Sequence, residues 1–293
     1  MDPLMKTEMS GGLAGWPGLR RILAIAPWCA LSACGGGGGG GPIASQGSAI
    51  VSPDPTTVLQ GFYQASALAS PQEFISLVLP TSASSVQWYG WYFKSPSANA
   101  DPYLFSGVLD LGVSGAAQSN AAGIKAFTSG ILATGSVNLS NASLTGFHAS
   151  VAAVARQTSL DFNASAAPAL NYQFDAPALA TDLAGRWTGP WSSAGSIYGA
   201  STLTFGNTGG LVSNTTNFPC AVSQLSLVPR ATGNAFTASL FIPAATNCPW
   251  STPTPKTLHG IAFIHNLTGG SRRLEVMLLD SDGSGISFRG DSP

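Results

Sequence analysis

Phe236-Thr237-Ala238-Ser239-Leu240-Phe241-Ile242 sets apolar residues at every second position, with small polar residues mostly between them. Successive side chains of a strand point to opposite faces, so a period of two marks a strand with one face buried. The same texture returns in Leu258 to His265, in Arg273 to Leu279 and in Gly285 to Phe288. Between these runs stand Thr232-Gly233-Asn234, Gly269-Gly270-Ser271 and Asp280-Ser281-Asp282-Gly283. Glycine and Asx residues supply the positive φ that tight hairpins need. No stretch shows the helical period, and short apolar runs broken by turn residues are the all-β pattern. The expected fold is all-β, with antiparallel meanders.

Outward from this stretch, the chain reads as duplicated. Leu59-Gln60-Gly61-Phe62-Tyr63 and Leu183-Ala184-Gly185-Arg186-Trp187 share the pattern Leu-x-Gly-x-aromatic. Each opens a region of about eight expected strands, residues 56–178 and 181–293, joined by the short segment around Asp175-Ala176-Pro177. Each region is near ordinary domain size, large enough for a core of its own. Barrel and sandwich both fit the pattern. Only 25 of 293 residues carry a formal charge, 9%, against about 25% in a typical soluble domain. Strand surfaces filled by Ser, Thr, Asn and Ala leave edges without the charges that normally block edge pairing. Closure into a barrel removes those edges and is the preferred form. A net charge of −1 excludes a basic nucleic-acid binder.

The amino terminus carries an address. Lys6, Arg20 and Arg21 precede an apolar run from Ile22 to Ala33. That run is too short to span a bilayer, which needs roughly 20 residues, and matches the apolar region of a secretory signal. It ends Leu31-Ser32-Ala33-Cys34, which resembles the lipobox of bacterial lipoproteins. The resemblance implies a signal peptide over residues 1–33, cleavage before Cys34 and acylation of the Cys34 thiol (palmitate among the chains). Residues 34–55 then form the lipidated start and a tether. Gly35 to Gly41 are seven consecutive glycines, a composition that cannot pack and behaves as a flexible leash. In such lipoproteins an aspartate after the cysteine signals inner-membrane retention. Gly35 at that position implies the bacterial outer membrane, on either face. An ordinary signal peptide with an incidental cysteine is the rival reading.

Four cysteines are present. Cys29 leaves with the signal and Cys34 takes the lipid. Cys220 and Cys248 remain, and in an oxidising compartment they are expected to pair. Two free thiols or a metal pair are the alternatives, and zinc would want further Cys or His ligands. The expectation is no metal and no cofactor.

The whole layout resembles a family of bacterial outer-membrane lipoproteins of unassigned activity. The resemblance rests on the lipobox, the glycine tract and two β-rich units. In the second unit it rests on Leu183-x-Gly185-x-Trp187-x-Gly189, Val228-Pro229-Arg230, the two cysteines, Gly260-Ile261-Ala262, Arg273-Leu274 and Gly285-Ile286-Ser287-Phe288-x-Gly290. It implies an architecture and a location without a reaction. A fainter similarity links Leu183-x-Gly185-x-Trp187 to the Gly-x-Trp opening of lipocalins.

Motifs of catalysis are missing from the sequence: no Gly-x-Ser-x-Gly, no HExxH, no P-loop. His148, His259 and His265 each sit in a strand-like run. Asp280 to Gly285 reads as a hairpin turn, since a calcium loop needs more oxygen ligands and a closing glutamate. Arg289-Gly290-Asp291, an integrin-type tripeptide, ends an expected strand. The most informative patch is Trp88-Tyr89-Gly90-Trp91-Tyr92-Phe93. Alternation puts Trp88 and Tyr92 on one face, and Tyr89, Trp91 and Phe93 on the other. One set is core and the other is exposed or covered by a neighbour, either as an inter-domain interface or as a platform for a ligand or partner. The expectation is a non-enzymatic envelope protein held to a membrane by its lipid. A carrier of a small apolar ligand and a surface adhesin are the alternatives.

Overall fold

The computed structural model describes residues 59–65, 73–82, 84–93, 103–111, 117–128, 131–143, 145–153, 158–168, 171–193, 196–220, 222–244, 248, 254–280 and 285–293. The signal segment, Cys34 and the glycine tract lie outside them. The described residues all fall within one compact unit, Val51–Pro293.

The chain is all-β and antiparallel, in two sheets of eight strands each. The first holds β1 (Gly61–Ala65), β2 (Glu73–Ser82), β3 (Ser85–Phe93), β4 (Tyr103–Leu111), β5 (Ala117–Thr128), β6 (Ile131–Ser143), β7 (Gly146–Ala153) and β8 (Thr158–Ala166). They pair in chain order, and β1 closes on β8 through Tyr63↔Ala166 and Gln64↔Ser165, making a barrel. The second holds β9 (Gly185–Ser193), β10 (Ser196–Phe205), β11 (Leu211–Thr215), β12 (Leu225–Pro229), β13 (Ala235–Ile242), β14 (Lys256–Asn266), β15 (Arg272–Leu279) and β16 (Gly285–Ser292).

The second sheet repeats the plan of the first with one seam. Its first and last strands, β9 and β16, pair like β1 and β8, with Phe288 opposite Trp191. Its third and fourth strands, β11 and β12, form the two edges of the sheet, where β3 and β4 are paired in the barrel. Residues 216–224 lie between those edges in the chain. They bury Phe218, Cys220 and Val222 in the same core that the sheet encloses. Cys220 is disulfide-bonded to Cys248 across 28 residues. The disulfide therefore ties down the segment that follows the third strand.

The repeated motif has a clear local cause. Gly61 and Gly185 open β1 and β9 with φ of 134° and 114°, a conformation that side-chain-bearing residues rarely adopt. The leucine two residues earlier in each copy, Leu59 and Leu183, is fully buried. The aromatic residue two positions later hydrogen-bonds back over the turn. The Tyr63 hydroxyl donates to the Gln60 carbonyl at 3.1 Å, and Trp187 Nε1 donates to the Leu183 carbonyl at 2.7 Å.

Alternation assigns the cores. In the barrel Phe74, Trp88, Tyr92 and Phe105 point inward. Trp88 Nε1 donates to the buried Ser76 hydroxyl at 2.6 Å, so its polar atom is satisfied inside an apolar core. In the second sheet Trp187, Trp191, Phe236 and Phe288 fill the interior. A third cluster belongs to neither interior. Ile75, Leu77 and Trp91 on the barrel's outer face pack against Ile261, Phe263 and Met277 on the second sheet's outer face. Strands covered on both sides must be apolar at nearly every position. This explains Phe74-Ile75-Ser76-Leu77-Val78-Leu79 and Leu274-Glu275-Val276-Met277-Leu278-Leu279.

Candidate functional site

The junction between the two sheets holds the densest chemistry among the described residues. Its apolar centre is aromatic. Phe263 sits edge-on to Trp91 with ring centres 5.4 Å apart, and Phe62 lies 5.1 Å from Phe263 and 5.3 Å from Tyr172. Such tilted and edge-on contacts are the favoured aromatic geometries. Tyr172, from the segment joining the sheets, donates its hydroxyl toward the Gly233 and Asn234 carbonyls at 2.5 and 2.8 Å. Asn234 Nδ2 returns a bond to the Gln173 carbonyl at 3.0 Å. The joining segment is thereby fastened to the β12–β13 hairpin, and burial pushes the Tyr172 phenol well above its ordinary range.

At one end of the junction lies a buried ionic cluster. Arg289 on β16 makes a two-pronged bond to Glu73 on β2, at 2.9 and 3.1 Å. Its Nε donates to Glu275 on β15 at 2.8 Å. His265 Nε2 lies 3.5 Å from the same Glu275 oxygen, close enough for attraction but outside hydrogen-bond geometry. Both His265 nitrogens and Glu275 Oε2 are buried without a hydrogen-bond partner. Burial pushes the Glu275 carboxyl up. The Arg289 guanidinium, His265 and Arg273 outweigh it and hold the carboxyl below the usual carboxylate range. Burial in turn disfavours the Arg289 charge, but Glu275 and Glu73 hold it firmly protonated.

Two clefts flank the junction. One, of about 360 Å³, runs along the joining segment and is lined by Asn171, Tyr172, Asp182, Asn266 and Arg272. Arg272 is occupied there: its Nη1 donates to the Asp182 carbonyl at 3.1 Å, and its guanidinium stands 5.1 Å over the Trp187 ring. The other cleft, of about 430 Å³, lies between the outer faces of β3 and β4 and those of β13 to β15. Gln87, Tyr89 and Ser106 face Arg230, Thr237 and His259 across it.

The residues singled out in the sequence distribute as follows. Trp88 and Tyr92 lie in the barrel core, away from any surface. Trp91 is in the junction, with Tyr89 packed at its margin and reaching the larger cleft. The Phe93 side chain lies outside the description. Cys220 and Cys248 are bonded to each other. His148 sits on the barrel's outside, 3.1 Å from Asp161 and 3.1 Å from Asn163. His259 lines the larger cleft and His265 is in the ionic cluster, so the three histidines do not converge. Among the described residues no group of three His, Cys, Asp or Glu side chains is placed to hold a metal. Arg289 and Asp291 of the tripeptide are both engaged, Asp291 by a two-pronged bond from Arg273 at 2.6 and 2.8 Å.

Sequence reasoning gave no role to Glu73, Glu275, Arg289 or Arg230. Glu275 carried a signal: a lone carboxylate inside the apolar run Leu274 to Leu279 must be buried and paired. Glu73 on β2 carried none, because its partner Arg289 is 216 residues away. No family model matches the chain, and no curated protein matches it in sequence. Among solved structures it is similar to Aeromonas veronii immune modulator A, at 9% identity and a TM-score of 0.32, over 80% of this chain and 94% of that one.

Proposed function

We propose that this chain is a lipid-anchored lipoprotein of the bacterial outer membrane whose twin β unit binds a partner or ligand and catalyses no reaction. The observation that carries the anchor is Leu31-Ser32-Ala33-Cys34 directly ahead of seven glycines. Several acyl chains on one residue give stable attachment where one would be marginal. The glycine leash lets the folded part stand off the bilayer. Support for binding comes from the junction. Its larger cleft is walled by strands of two sheets, and a site on strands is held more rigidly than one on loops. The large aromatic side chains inside both sheets favour binding at the junction over carriage of an apolar ligand within a barrel.

Replacing Cys34 by Ala tests the anchor. The intact protein should fractionate with outer membrane and incorporate labelled palmitate. The variant should do neither, remaining as uncleaved precursor or as unacylated protein. Unchanged membrane fractionation with Ala at position 34 would defeat the lipoprotein reading.

A further inference from the structure

We propose that the cleft around Arg230 is a binding site for a small organic oxyanion, a phosphate or carboxylate carried on a short apolar stem. This deepens the binding half of the reading above and rests on it. It does not depend on the lipid anchor.

Arg230 follows β12 directly, and its amide bonds the Ala235 carbonyl at 2.8 Å, closing the β12–β13 hairpin. The hairpin fixes where the side chain leaves the backbone. Its Nε is fully buried and has no hydrogen-bond partner. Among the described residues no carboxylate lies within ion-pair distance of it. The other partly buried cations of the described chain are all engaged. Arg273 is paired with Asp291, Arg289 with Glu73 and Glu275, Lys256 with Asp280 at 3.2 Å, and Arg272 with a carbonyl and an indole face. Removing a guanidinium N–H from water with no acceptor is costly, and more so for a charged donor than a neutral one. Arg230 is thus built into the cleft wall with its strongest interaction unmade.

The walls specify what completes it. A planar guanidinium fork matches phosphate and carboxylate geometry better than any neutral group. Tyr89 and Thr237 add hydroxyl donors on either side of the cleft. Burial raises the Tyr89 phenol and the Arg230 charge partly offsets this, so Tyr89 remains a neutral donor at ordinary pH. Gln87 is held along its own wall by donating to the Ser106 hydroxyl at 3.0 Å. Asp280 is the carboxylate of the cleft, and Lys256 neutralises it. The net local charge is therefore positive. Ser106 and His259 are further polar lining, and Leu279 and Val108, the latter 47% exposed, supply the apolar part of the wall. About 430 Å³ falls within the usual range for small-molecule sites and exceeds what a bare phosphate fills.

Calorimetric titration of the full chain in lipid nanodiscs, with empty nanodiscs as reference, tests this with three probes: inorganic phosphate, n-butyl phosphate and 1-butanol. Butyl phosphate should bind saturably and at least tenfold more tightly than inorganic phosphate, and 1-butanol should give no saturable heat. Arg230→Gln should abolish the butyl phosphate signal, while Arg186→Gln, an equal charge change at an exposed site on β9, should leave it intact. Val108→Asp guards against a folding artefact, since it alters an exposed side chain and should also abolish binding with the melting temperature unchanged. Equal affinity for the two phosphates overturns the apolar stem. No saturable anion binding, or binding that survives Arg230→Gln, overturns the site. Either failure, with Cys34-dependent fractionation intact, leaves the anchor standing.

Discussion

Glu275 is a carboxylate with 1% side-chain exposure, paired across the β14–β15 ladder with Phe263. Its stability depends on Arg289, and the pair is worth more as a partnership than as a bonus. Removing one member of a buried pair leaves an uncompensated charge, which typically costs 3–5 kcal/mol. Arg289→Met should lower unfolding free energy by about that much, read by denaturant unfolding. A change under about 1 kcal/mol would show that water reaches the cluster. The pH dependence follows from the same residue. A carboxyl held below its unfolded value of 4.5 contributes stability that is present above that pH and lost as pH falls through the folded-state value. The acid limb of the stability curve should flatten in Glu275→Gln. At this scale the sequence told half. The alternation in Trp88 to Phe93 sorted the faces, and the structure sends Trp88 and Tyr92 inward and Trp91 outward. The ion pairs were beyond reach, because a strand's pattern says that a face is covered and not by which residue.

Among elements, the telling difference is between the β3–β4 pair and the unpaired β11 and β12. Both edge strands are five residues long and expose a valine, Val212 and Val228. Short edges of this kind limit strand addition by another chain. The segment that covers the opening is stapled by Cys220–Cys248, a loop of 28 residues. Loop-closure entropy for that length is worth roughly 3–4 kcal/mol. Reduction should therefore lower the melting temperature by several degrees, as should Cys220→Ser paired with Cys248→Ser. An unchanged melting curve in reductant would mean that buried Phe218 and Val222 hold the segment without the bond. The eight-strand count per unit and the hairpin turns were readable from period and turn chemistry. The seam was not, since β11 and β12 look like any other short apolar runs. Their lack of pairing is a property of the sheet's closure and not of either strand.

Across the whole molecule the two sheets share one wall. Phe263, Trp91 and Met277 are buried by neither core alone, so exposing them would accompany any separation of the sheets. The folded part should unfold in a single cooperative transition by calorimetry and by tryptophan fluorescence. Phe263→Ala removes the aromatic centre of that wall, and a buried Phe→Ala change costs about 3–5 kcal/mol. It should split the transition into two, one per sheet. Two transitions in the unaltered protein would show that the junction is too weak to couple them. At the wall's deepest charged position the charge is paired: Glu275 and Glu73 both meet Arg289. Strands buried on both faces have few positions where a charge can reach water.

The pairing of β1 with β8, and of β9 with β16, has a consequence for how such a chain can grow. Each sheet is left beside the strand through which it was entered. The link from Ala166 at the end of β8 to Gly185 at the start of β9 joins one closing pair of strands to the next. A unit with adjacent ends can be concatenated by in-frame copying of its coding segment, with no connector to invent. What such copying does not supply is the shared wall, since outer faces that once met solvent must become apolar on both partners. The present chain has such apolar outer faces in Trp91 and Phe263, so a change on one half is felt by the other.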